Sequence, residues 1–143
     1  MKTDESNPQH WFLLAAERLS TADLVYTQVG SSYSGVELLH EAVERYLKGY
    51  LLAKGWTLRK LHDLTFLNDE AKKFDVRFNA FDDLCENLTE QFWAQHYPGG
   101  DLEDVGSDYE VLRQQAGEMI ALILASVPPN KPVDEDSVGS CDL

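Results

Sequence analysis

Apolar side chains recur at spacings of three and four residues through most of this chain. That period builds helices, and no stretch alternates apolar and polar residues with the β-branched content of a strand. Phe12, Ala15, Leu19, Ala22, Tyr26 and Val29 mark the face of a first helix. Asn7 stands ready to cap it, Pro8 suits its first turn, and Gly30-Ser31-Ser32 ends it. A second stripe runs through Val36, Leu39, Val43, Tyr46, Tyr50 and Ala53. Leu47 and Leu51 widen it, so this helix should make contacts on two sides, and Gly55 stops it. Residues 56–61 read as a connector, after which Asp63 caps a short helix through Lys73. Asn79 or Asp82 begins a fourth helix reaching about Gln95, which Pro98-Gly99-Gly100 breaks. Ser107 or Asp108 caps the last helix, whose stripe is Tyr109, Leu112, Ala116, Met119, Ile123 and Val127.

The expected architecture is all-α, an antiparallel up-and-down bundle of about five helices over residues 1–127. Residues 128–143 differ in composition. They hold three of the five prolines and the run Asp134-Glu135-Asp136, and they read as a disordered acidic tail. At 143 residues the chain suits a single domain plus that tail.

The formal net charge is -13, from 12 basic and 25 acidic residues. Its distribution matters more than its sum. Between Arg45 and Arg77 eight bases meet four acids, so this window is +4 while the remainder is -17. A basic middle in an acidic protein points to a phosphate, a nucleotide, RNA or an acidic partner face. The competing reading is a solvated surface on two helices. No apolar run approaches the roughly 20 residues of a membrane span. The start Met1-Lys2-Thr3-Asp4-Glu5 does not read as a secretory signal. The cysteines, Cys85 and Cys141, fit reduced thiols, so a cytoplasmic location is expected.

Few residues are arranged for catalysis. Glu37-Leu38-Leu39-His40 has the Glu-x-x-His spacing of a di-metal helix, but no second copy exists, so neither a metal nor a cofactor is expected. Cys85 lies among Asp82, Asp83 and Glu86, whose charge blunts a thiolate. There is no nucleophile elbow and no phosphate loop. His62 is the more suggestive histidine. It follows Arg59-Lys60 and opens a helix, a setting that suits a bound anion, although a histidine fixing the turn is the plainer reading. His96 ends the fourth helix, where the helix dipole favours it.

Several local patterns stand in a fixed order. Trp11 and Ala15-Ala16 open the first helix. His40-Glu41-Ala42-Val43-Glu44-Arg45-Tyr46-Leu47-Lys48-Gly49-Tyr50-Leu51-Leu52 forms the second. His62-Asp63-Leu64 and Ala94-Gln95-His96-Tyr97-Pro98 follow. This order resembles the HEPN family of small helical domains over about residues 8–127. The resemblance implies a bundle that is commonly a homodimer, often paired with a minimal nucleotidyltransferase in a toxin–antitoxin-like system. Some members are metal-independent endoribonucleases, and others bind nucleotides or act without catalysis. Carried over by position, Glu44 and Lys48 match the second-helix Glu and Lys, His62 matches the turn His, and Tyr97 and Pro98 match the Tyr-Pro pair.

Two departures bear on activity. No Arg here is followed, after four to six residues, by the His of the ribonuclease members. His96 also stands where the pattern has Arg. The reading that follows is a non-catalytic module for a nucleotide, nucleic acid or nucleotidyltransferase-type partner. Its ligand site is expected at Glu44, Lys48, Arg59, Lys60, His62, His96 and Tyr97. The alternatives are a ribonuclease using His62, His96 and Arg59, and a structural dimerisation module with Tyr46 and Tyr50 at its interface.

Overall fold

A computed structural model describes residues 2–96, 98–99 and 109–129. Its helices are α1 (Pro8–Val29), α2 (Tyr33–Ala53), α3 (Leu64–Lys72), α4 (Asp82–His96) and α5 (Tyr109–Ser126). A 3-10 helix, Val76–Phe81, leads into α4. The bundle is all-α and up-and-down, as the periodicity predicts. Tyr97, Ser107, Asp108, Cys141 and the acidic segment from residue 130 lie outside the described residues.

Local chemistry sets the helix ends. The Asn7 side chain accepts the Gln9 N–H, and Gly30 closes α1 at φ 76. Ser32 accepts the Gly35 N–H to start α2, and Gly55 turns the chain after it at φ 95. Asp63 accepts the N–H groups of Thr65 and Phe66 at 3.0 and 3.2 Å, so the residue after His62 is held firmly at the head of α3. The fourth helix begins at Asp82 rather than Asn79. Asp75 caps the 3-10 turn ahead of it, which buries Phe78 and Phe81. Two aromatics in six residues do not advertise a 3-10 period, so sequence patterning missed this element.

α2 is the central helix and touches α1, α3, α4 and α5. Leu39, Val43, Leu47, Tyr50 and Leu51 are buried along it, and Leu64, Leu67, Leu84, Leu88, Leu112 and Ile123 meet them from the other helices. Tyr46 stacks on Phe12 at 5.7 Å and Tyr50 packs on Phe78 at 4.8 Å. Both tyrosines are therefore core residues and not the interface aromatics expected of them. Val29 and Ala53 end their stripes exposed. α5 is tied to α1 through polar contacts. Arg113 donates to Asp23 at 2.7 and 3.0 Å, the Tyr26 hydroxyl donates to Glu110, and the rings of Tyr26 and Tyr109 stack at 5.0 Å.

Candidate functional site

Glu37, Glu41, Glu44 and Lys48 follow one another at helical spacing, so α2 carries them along one side. That side faces the turn before α3 and the body of α4. Between them lies a cleft of about 140 Å3, lined by Glu37, Glu41, Glu44, Arg45, His62 and Phe92.

Glu44 is its hub. Its Oε2 accepts from Lys48 Nζ at 2.9 Å and from His62 Nδ1 at 2.9 Å. A carboxylate only accepts, so His62 Nδ1 bears the proton of this contact. His62 is well exposed, while Glu44 and Lys48 are buried. Lys48 Nζ also sits 5.7 Å above the Trp11 ring. The sequence pairing of Glu44 with Lys48 is thus present in space, but the ammonium is turned inward.

His40 lies beneath the hub and is 1% exposed. Its Nδ1 is 3.9 Å from Glu44 Oε1, and neither ring nitrogen has a hydrogen-bond partner among the described residues. Burial pushes its pKa down to about 4. Glu44 and Glu41 oppose that shift in part, while His62 and His96 add to it. His40 is therefore neutral near pH 7. Its ring stacks on Phe92 at 4.4 Å, and Phe92 stacks on His96 at 4.1 Å. His96 Nδ1 donates to the Phe92 carbonyl at 2.7 Å, and its Nε2 is 3.8 Å from Glu37 Oε2.

Glu41 completes the wall. Its Oε1 accepts from Arg18 Nε at 2.8 Å and from Arg45 Nη1 at 3.1 Å. One carboxylate thus joins α1 to α2.

The structure brings Glu44, Lys48 and His62 together and sets His96 across the aromatic stack from them. It does not bring Arg59 into the group. The Arg59 guanidinium lies 4.8 Å over the Phe66 ring, and its charge acts on Glu70 of α3. Lys60 is exposed in the same turn, and Tyr97 lies outside the described residues. Much of the basic middle is matched locally: Arg45 by Glu41, Lys72 by Asp69 and Asp82, Lys73 by Glu70, Arg77 by Asp75. Sequence reasoning passed over Glu41, Arg45 and Phe92, and it weighed Glu37 and His40 only as metal ligands. The carboxylate spacing on α2 was visible in the sequence. The stack on α4 was not, since it needs both helices in place.

Among the described residues no group of three or more His, Cys, Asp or Glu is placed to hold a metal ion. No described helix is long and apolar enough to cross a membrane. The Cys85 thiol is pushed up to about 12, first by burial and then by Asp82 and Asp69, so it is not a nucleophile at neutral pH. No curated protein and no solved structure matches the chain. The family model of the HEPN domain matches residues 8–126, which spans all five helices of the bundle, and the chain belongs to the HEPN family.

Proposed function

We propose that this HEPN domain is a non-catalytic module that binds a nucleotide or a single-stranded RNA segment in the α2–α4 cleft. It acts as a homodimer, beside a nucleotidyltransferase-type partner in a toxin–antitoxin-like pair. The observation that carries the reading is the Glu44–His62 contact at 2.9 Å, which holds an exposed imidazole at the mouth of a polar cleft. Lys60 is exposed in the same turn as His62, where a phosphate attached to the bound base would meet its positive charge. Lys48 serves the site from inside by fixing Glu44, so its removal disturbs the site through that carboxylate.

Titration with mononucleotides and short RNA at low salt tests this. His62→Ala is expected to weaken binding about fivefold, the worth of one hydrogen bond of about 1 kcal/mol. Absence of binding, or binding indifferent to His62→Ala, would sink the proposal.

A ribonuclease is the second reading. It is favoured by the way Glu44 orients His62, since a carboxylate-held imidazole is the usual form of a general base. Against it, Arg59, the cation expected beside the scissile phosphate, rests on Phe66. RNA left intact after incubation with clean protein excludes it.

A further inference from the structure

Three carboxylates line the cleft, Glu37, Glu41 and Glu44; Glu41 pairs with Arg18 and Arg45, and Glu44 with Lys48. Of these cations Arg45 alone lines the cleft, so its wall presents more acceptors than donors and disfavours a bare anion. It suits a neutral planar group rich in hydrogen-bonding edges.

The carboxylates are not equally committed. Glu41 is engaged by two guanidinium groups and Glu44 by Lys48 and His62. Glu37 has one ionic neighbour among the described residues, His96 Nε2 at 3.8 Å, beyond hydrogen-bond length. Its oxygens remain open. Behind them His40 is 1% exposed, its ring nitrogens unpartnered among the described residues, and it faces Glu44. The Phe92–His96 ring pair adds a flat aromatic edge at the same place.

We propose, building on the nucleotide-binding reading above, that this cleft takes a guanine base, with Glu37 accepting from its N1–H and 2-amino groups. Guanine presents two adjacent donors that match the two oxygens of a carboxylate. Adenine and cytosine set a single amino group beside an acceptor nitrogen, which a carboxylate repels, and uracil flanks one N–H with two carbonyls. The guanine O6 accepts, and Arg45 in the cleft wall is the donor placed to meet it. The base stacks against His96, as bases do on aromatic platforms.

The test is calorimetric titration of the full chain with GMP, IMP and AMP. Single-stranded RNA carrying one guanosine in an adenosine run is compared with an all-adenosine strand. GMP is expected to bind about tenfold more tightly than AMP. IMP lacks the 2-amino group and falls toward AMP. Glu37→Gln is expected to remove the GMP preference while leaving the melting curve unchanged. Preference in both arms assigns the site to the base itself, and preference confined to RNA assigns it to an RNA-borne guanosine. Equal affinity for GMP and AMP in both arms, or a GMP preference that survives Glu37→Gln, overturns the guanine assignment and leaves nucleotide binding standing. No binding in any arm overturns both.

Discussion

His40 shows how a single buried residue records its surroundings. An imidazole at the pKa of about 4 given by burial stays neutral until well below the 6.5 of an unfolded histidine. Between those values the unfolded chain holds a proton that the folded chain refuses. Stability is therefore full above about pH 6.5 and falls as pH drops toward 4. The groups facing His40 are Glu44 and Glu41 on its own helix, His62 from the turn before α3, and His96 from α4. The first two soften the loss and the last two sharpen it. The contribution is on the order of 3 kcal/mol. Urea denaturation at pH 7 and pH 4.5 checks it. His40→Phe keeps the ring stack on Phe92 and should lose distinctly less stability over that interval than the wild type. An identical loss in both proteins would rule His40 out as the source.

At the scale of elements, the contact between α1 and α2 depends on one missing side chain. A Cβ on Gly49 would meet the Phe12 ring at 2.5 and 2.9 Å and the Trp11 Cβ at 3.1 Å. Phe12 is itself held against Tyr46 and cannot yield. Gly49→Ala would ordinarily favour a helix by about 1 kcal/mol. Here the overpacking costs about 1–3 kcal/mol and also pushes α1 off the helix that carries Glu44 and Lys48. A lower urea midpoint is the expected result, and a raised one would show that the helices close without strain. The apolar stripe of α2 was legible in the sequence down to its two-sided width. The need for glycine at position 49 was not, because a residue's neighbours across a helix pair are set by the crossing and not by the period.

Across the whole molecule, the helices of the core leave some apolar surface uncovered. Leu13 and Leu24 are 51% and 57% exposed and lie about three turns apart on one face of α1, with Leu14 beside them at 42%. Such a face suits a second copy of the chain, in keeping with the homodimer proposed above. Light scattering is expected to report a dimer, and Leu24→Glu to shift it toward monomer. A wild-type monomer at every usable concentration would refute this. The sequence by itself determined the helices, their caps at Asn7 and Asp63, and most of the buried stripe, because periodicity and capping are properties of neighbours along the chain. It also singled out Glu44, Lys48 and His62. Tertiary structure alone decided what those residues do together. It turned Lys48 inward, drew Arg59 onto Phe66, matched much of the +4 window with local carboxylates, and set Phe92 of α4 between His40 and His96. Charge pairing and ring stacking join residues that are distant in sequence, and only the packing of α2 against the turn and α4 brings them within reach.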